Sequence, residues 1–237
     1  MSARLLAFDT ATETMSLALG DGECTWAREL PGGAQASSAL LPALQALLAE
    51  AGLQLADLDA IAFGRGPGAF TGLRTSCAVA QGLAFGLRRP VLPIDSLLIV
   101  AEAAWRLHGG SDVGVCMDAR MQQIYAARYR RQADGWQVLA EPALFDLPVL
   151  LQAWAAPPPH LAGSACAWPG APWGLPVQRC DAEPPGRAEA LLALARQAWQ
   201  AGAAVDAALA LPLYVRDKVA LTTAERALAR QAIEANG

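Results

Sequence analysis

Arg4-Leu5-Leu6-Ala7-Phe8-Asp9 is an apolar run stopped by an acid; Thr14–Leu19 follows, Gly20-Asp21-Gly22 turns the chain, and Cys24–Arg28 completes a trio. Runs this short, broken by glycine and aspartate, predict three strands folded back on one another as an antiparallel meander. The grammar returns later in the chain. Val113–Met117 ends at Asp118, and Ile124–Arg130 and Trp136–Ala140 complete a second trio.

Between the trios the pattern alternates. Leu40, Leu41, Leu44, Leu47, Leu48 and Ala51 recur at helical spacing, with Pro42 in the first turn and Gly52 closing the stripe. Leu58–Phe63 predicts a buried strand, Gly64–Gly72 a glycine-rich loop, Leu73–Leu87 a helix, Pro90–Ile94 a strand and Ser96–Leu107 a helix. Three strands followed by alternating helix and strand is the order of a mixed sheet flanked by helices. Its repetition predicts an α/β, actin-like (ASKHA) fold, a duplicated ribonuclease-H-like plan in two lobes. Gly109-Gly110-Ser111 reads as the hinge, which places the lobes at 1–108 and 109–237. The second lobe continues with a helix near Leu147–Ala155, a strand at His160–Ala162 and a helix at Arg187–Ala201; residues 163–185 carry no periodicity.

Composition narrows the function classes. The 237 residues are 54% hydrophobic and 17% charged, too apolar for disorder, and the net charge of −4 argues against a chain that grips nucleic acid alone. The five cysteines, Cys24, Cys77, Cys116, Cys166 and Cys180, are odd in number and form no C-x-x-C, so neither a zinc knuckle nor a disulfide framework is indicated, and a reduced, cytoplasmic setting is expected. Residues 147–178 lack Asp, Glu, Lys and Arg, but their seven prolines would break a spanning helix. The two histidines, His108 and His160, are far apart and outside any motif, so no metal site is expected.

Two segments could carry chemistry. Gly64-Arg65-Gly66-Pro67-Gly68-Ala69-Phe70-Thr71-Gly72-Leu73-Arg74 joins a strand to a helix, where glycines allow close backbone approach and the helix start favours an anion. It is no Walker loop, and a tight turn with Arg65 and Arg74 in solvent explains it as well. In this segment Pro67 is expected to hold Gly66 extended, and Gly68 to supply a positive φ. Asp9-Thr10-Ala11-Thr12 ends the first strand, where a phosphate-facing turn would want glycine in place of Ala11; local hydrogen bonding of Asp9 and Thr12 is the competing reading. Asp9, Asp95 and Asp118 each end a strand, a pattern open to a carboxylate-held metal or to ordinary turn chemistry.

Leu5–Glu13, the Leu40-Leu41-Pro42 helix, Leu58–Arg74 with its Gly-Arg-Gly-Pro-Gly-x-Phe-Thr-Gly-Leu-Arg core, Ala80–Ala84, Met117-Asp118-Ala119-Arg120 with Ile124-Tyr125, and Pro212–Arg216 together resemble the bacterial TsaB (YeaZ) family. The match runs in order over nearly the whole chain, with 141–211 contributing mainly by position. The resemblance implies an actin-like, non-catalytic subunit of the machinery that makes threonylcarbamoyladenosine in tRNA. Its implied partners are a TsaD-like catalytic subunit of the same fold, a TsaE-like ATPase, a second copy of itself when free, and tRNA only through the complex. ATP, ADP and metal would belong to those partner subunits, with no cofactor and no metal held by this chain alone. One departure stands out: Gln35-Ala36-Ser37 occurs where many relatives read Gln-His-Ser.

On this reading there are no catalytic residues. The partner surface is expected at Leu40, Leu41, Leu44, Leu47, Leu48, Leu73, Ser76, Cys77, Ala80 and Ala84. Asp9, Thr10, Thr12, Gly64, Arg65, Gly66, Gly68, Phe70, Thr71, Gly72 and Arg74 become degenerate remnants of nucleotide loops. The competing class is an actin-fold ATPase or small-molecule kinase that still uses them.

Overall fold

The first five strands are β1 (Leu5–Asp9), β2 (Thr14–Asp21), β3 (Cys24–Pro31), β4 (Ala60–Gly66) and β5 (Val91–Asp95). β1 lies between antiparallel β2 and parallel β4, which is why all five of its residues are buried. The sheet has the order β3-β2-β1-β4-β5 in this computed structural model, which describes residues 3–216; Met1, Ser2 and the part of the expected second lobe beyond Arg216 lie outside them. Helices α1 (Ala36–Ala51) and α2 (Phe70–Leu87) cover one face, packing on Leu6, Phe8, Leu17, Ile61 and Phe63. The opposite face is built of small side chains, Ala7, Ala18, Ala60 and Ala62. Successive strand residues point to opposite faces, so the alternation of large and small in Leu6-Ala7-Phe8 and Ile61-Ala62-Phe63 decides which helix sits on each side.

The second sheet repeats the first. After α3 (Ser96–His108), β6 (Asp112–Asp118), β7 (Gln123–Gln132) and β8 (Gly135–Asp146) form an antiparallel meander; α4 (Leu147–Ala153) follows, and β9 (His160–Ala162) pairs parallel with β6. β10 (Arg179–Asp181) adds a parallel edge, giving β10-β9-β6-β7-β8. Read from the meander edge, both sheets have one topology: two antiparallel steps, then two parallel ones. This is the duplicated, actin-like, ribonuclease-H-like fold. β10 escaped the sequence reading because it is three residues long and lies in a proline-rich stretch.

The chain does not stay with the second sheet. Helix α5 (Arg187–Gln200) packs Ala188, Leu191, Leu192, Leu194 and Ala195 onto the alanine face of the first sheet, and Val205 bridges to Val91 of β5. Helix α3 sits between the sheets, turning Ile99 and Ala103 to one core and Leu97, Val100, Ala101 and Ala104 to the other.

Candidate functional site

The two loops read as possible phosphate binders hold each other. Asp9 at the end of β1 is 1% exposed, and its Oδ1 accepts the Ala11 N–H at 2.8 Å. Gly64 is glycine because a Cβ there would lie 2.3 Å from the Asp9 carboxylate. Ala69 donates its N–H to the Ala11 carbonyl at 2.8 Å, the Thr10 hydroxyl donates to the Gly72 carbonyl at 2.7 Å, and the Ser76 hydroxyl accepts the Thr10 N–H at 3.1 Å. A Cβ at Gly68 would meet the Ala11 carbonyl at 2.4 Å, and one at Gly72 would meet the Thr10 carbonyl at 1.9 Å. The glycines of this loop therefore serve an approach of backbone to backbone, and the space between the two loops is filled by the chain itself. The residue with φ of +100° is Gly66, preceding a cis Pro67, so the expected assignment is corrected: Gly66 supplies the unusual backbone, and Gly68 supplies the close approach.

A cation completes this floor. Arg187, the first residue of α5, is 8% exposed; its Nη1 donates to the Thr12 hydroxyl at 2.8 Å and its Nη2 lies 3.6 Å from Asp9 Oδ2. Among the described residues Asp9 Oδ2 and Arg187 Nε and Nη2 make no hydrogen bond, so the pair is held by charge more than by geometry. Glu29 of β3 caps the same helix, accepting the Arg187 N–H at 2.6 Å. The three strand-end aspartates do not gather round a common point: Asp9 faces Arg187, Asp95 pairs with Arg65, and Asp118 faces Arg120. Among the described residues, no group of three His, Cys, Asp or Glu side chains is arranged to hold a metal ion.

Above the floor a cleft of about 560 Å³ opens between the sheets, lined by Leu73, Val100, Met117 and Tyr125, with Pro184 and Pro185 on one side. Its mouth is crossed twice. Arg120 of the second sheet's first turn pairs with Glu13 of the first at 2.5 Å. Residues 213–216 then run from one lobe to the other: the Leu213 N–H donates to the Arg65 carbonyl at 2.7 Å, the Tyr214 hydroxyl accepts from Arg74 Nε at 3.2 Å beside the Phe70 ring, and Arg216 Nη2 donates to the Ala119 carbonyl at 2.8 Å. Arg65 pairs with Asp95 while part of its side chain stays exposed, and Arg74, itself exposed, lies over the Phe70 ring, so both arginines have partners within the chain. Thr71 is exposed, its carbonyl accepting the Thr75 hydroxyl.

The expected partner surface needs correction. Leu40, Leu44, Leu47, Leu48, Leu73, Ser76, Cys77, Ala80 and Ala84 are all buried inside the chain, because the apolar stripes of α1 and α2 face their own sheet. Burial pushes the Cys77 thiol up to about 12, with the Asp9 carboxylate adding to the effect. Only Leu41 of that set is exposed, at 46%. The outward surfaces of the two helices carry Ser37, Pro42 and Ala46 on α1, and Ala78, Gly82, Phe85 and Gly86 on α2. Ala36, where the resemblance leads one to expect histidine, is itself buried at the start of α1.

Sequence reasoning missed Arg187, Glu29, the Glu13–Arg120 pair and the crossing at 213–216. Only the last had a signal, in Pro212-Leu213-Tyr214-Val215-Arg216; the others depend on contacts between residues more than a hundred positions apart. No helix among the described residues is long and apolar enough to cross a membrane.

Comparison with known proteins bears on the same features. A family model described as TsaD, tRNA N6-adenosine threonylcarbamoyltransferase, matches residues 33–180. The tRNA threonylcarbamoyladenosine biosynthesis protein TsaB of Escherichia coli is 35% identical over 92% of this chain and 96% of its own length; that of Haemophilus influenzae is 46% identical over 54% of each. Among solved structures, YeaZ from Pseudomonas aeruginosa superposes with a TM-score of 0.80 at 40% identity, covering 90% of this chain and 99% of the other. A second, described as an uncharacterized protein with similarity to peptidase YEAZ from Pseudomonas aeruginosa, gives 0.81 at 38%, covering 90% and 100%. With relatives matched over almost their full length and the same duplicated architecture, the chain belongs to the TsaB (YeaZ) family of tRNA threonylcarbamoyladenosine biosynthesis proteins.

Proposed function

We propose that this chain is the non-catalytic scaffold subunit of the apparatus that makes N6-threonylcarbamoyladenosine in tRNA. It binds a TsaD-like catalytic subunit and, with it, a TsaE-like ATPase, and tRNA reaches it only within that complex, in the cytoplasm. The observation that carries this reading is the mutual occupation of the Asp9 turn and the Gly64–Gly72 loop: a phosphate placed between them would have to displace backbone hydrogen bonds at Ala11, Gly72 and Ala69. Nucleotide and metal then belong to the partner subunits. The docking surface is the outward face of α1 and α2, which also pairs two copies of the free protein. Gly82 and Gly86 leave that face flat, with nothing within 4 Å of where a Cβ would stand, and Leu41 and Phe85 give it apolar anchors.

The test joins three measurements: capture of a TsaD-like partner, ATP hydrolysis by the isolated chain, and melting temperature. The wild-type chain is expected to capture the partner and hydrolyse nothing. Ala78→Arg and Leu41→Arg, both at exposed positions, should leave melting unchanged and weaken capture by about thirtyfold, the effect of losing about 2 kcal/mol at an interface hot spot. Robust hydrolysis by the isolated chain, abolished by Asp9→Asn, would favour the ATPase or small-molecule kinase reading, for which the 560 Å³ cleft is the available site.

A further inference from the structure

The chain has two histidines, and the fold brings both to one carboxylate. His160 of β9 has Nε2 2.6 Å from Asp181 Oδ2, and His108, the last residue of α3, has Nε2 3.2 Å from the same oxygen. The rings stand 5.6 Å apart, centroid to centroid, tilted by 62°. His160 is 6% exposed, while His108 and Asp181 are partly open to solvent. Three elements thus meet at one oxygen atom: the end of the helix that lies between the sheets, the inner strand β9 and the edge strand β10.

Asp181 sits where release would matter. β10 is held by three residues of pairing with β9 and by the Gly163 N–H donating to the Asp181 carbonyl at 2.8 Å. The residues that follow it, Ala182 to Pro185, form one wall of the interlobe cleft. We propose that His108, Asp181 and His160 form a proton-operated latch that fastens this wall to the end of α3 at neutral pH and lets it go in mild acid.

With one neutral imidazole donating Nε2–H, Asp181 ties β10 to β9 without any buried positive charge. Adding protons forces two imidazolium ions to share one carboxylate, one of them in a site closed to water. The charged groups acting on His160 are Asp181 and Arg179 of β10 and His108 of α3; Asp112, at the start of neighbouring β6, is taken up by Arg128 and Arg130. Burial is the largest influence and pulls the His160 ring below its ordinary value, outweighing the attraction of Asp181; His108 and Arg179 push the same way. A histidine whose folded value is depressed binds fewer protons folded than unfolded. The stability it contributes is therefore present above its unfolded value and is lost as pH falls through the two.

Both histidines belong to the latch, so imidazole NMR reads it without assignment ambiguity. Titration should show the His160 resonance with a midpoint below that of an unfolded-peptide histidine. Amide exchange at 179–187, corrected for intrinsic rate, should be several-fold faster at pH 5.5 than at pH 7.5, the sign that proton linkage to a depressed histidine gives. In Asp181→Asn, exchange at 179–187 should be fast at both pH values, and in His108→Gln, which leaves the buried His160 in place, its pH dependence should be weakened. His108 is partly exposed, so its substitution tests the latch even if changes at His160 or Asp181 prevent folding. A His160 midpoint at or above the ordinary histidine value, or an exchange rate at 179–187 that is flat in pH or equally pH-dependent in His108→Gln, would overturn the proposal.

Discussion

The two lobes share a topology, yet the turn after the first strand of each is built in opposite ways. In the first lobe Asp9-Thr10-Ala11 is buried under the Gly64–Gly72 loop with Thr12 half-buried beside it, and the turn's polar groups are spent on that loop and on Arg187. In the second, Asp118-Ala119-Arg120-Met121-Gln122 stands open: Met121 is 72% exposed, and Arg120, Met121 and Gln122 have φ of 62°, 55° and 59°, a left-handed run with no glycine in it. The difference follows from what comes after the parallel strand. β4 continues into a glycine-rich loop and an eighteen-residue helix that folds back over the turn; β9 continues into Gly163-Ser164, whose hydroxyl accepts the Asp118 N–H at 3.0 Å and reaches no further. An actin-like pair of turns has become one sealed turn and one strained, exposed turn. The aspartate buried in the sealed turn needs a hydrogen-bond donor and a counter-charge, and here the chain supplies both.

The most damaging change to that arrangement is removal of its cation. Arg187→Met keeps the side chain's apolar length but leaves the Asp9 carboxylate buried without a counter-charge. Breaking one side of a buried pair costs about 3–5 kcal/mol, and the loose 3.6 Å approach puts this case near 3, or roughly 6–12 °C in melting temperature. Asp9→Asn together with Arg187→Met should recover much of the loss. A double variant no more stable than the single one would show that Arg187 acts through Thr12 and packing alone.

A smaller effect separates the covering loop from the helix it begins. Gly72→Ala places a methyl 1.9 Å from the Thr10 carbonyl, where backbone cannot yield, and should cost about 2 kcal/mol even after the gain in helix propensity. Gly82→Ala, the same substitution further along α2, meets nothing within 4 Å and should stabilise by about 0.5–1 kcal/mol. Thermal melts of the two variants should therefore move in opposite directions. Equal shifts would mean that the loop is not pressed onto the Asp9 turn.

The same contrast explains what the sequence discloses. The meanders are legible because strand alternation and turn residues are local: Leu6-Ala7-Phe8 carries its own two-sidedness, and Gly20-Asp21-Gly22 its own reversal. Helices α1 and α2 are legible as helices, but the direction of their stripes is not, since Leu44 facing a sheet and Leu44 facing a partner give one spacing. The glycine loop announces close approach without naming what approaches. Arg187, His108 and His160 carry no local signal at all, because their partners Asp9, Thr12 and Asp181 are set by the topology of two sheets and by a helix that returns to the first.

The least change is expected in the exposed turn, and it tests whether that turn is strained. Gln122 is exposed, and its φ of 59° accompanies the Gln123 N–H donating to the Arg120 carbonyl at 3.0 Å. A residue with a Cβ loses about 1–2 kcal/mol in the left-handed region, whereas glycine is free of that penalty but carries about 0.5–1 kcal/mol more unfolded-state entropy. Gln122→Gly should thus leave the protein as stable as before or raise its stability by up to about 1 kcal/mol. Gly66→Ala, at φ of +100° in the sealed turn and with the Leu73 side chain 2.6 Å from the added methyl, should lower it by about 2 kcal/mol. Denaturant melts read both. If Gln122→Gly instead unfolds more readily than wild type by more than about 1 kcal/mol, its side chain is doing something in the second turn that its exposure hides, and the two turns are more alike than their backbones suggest.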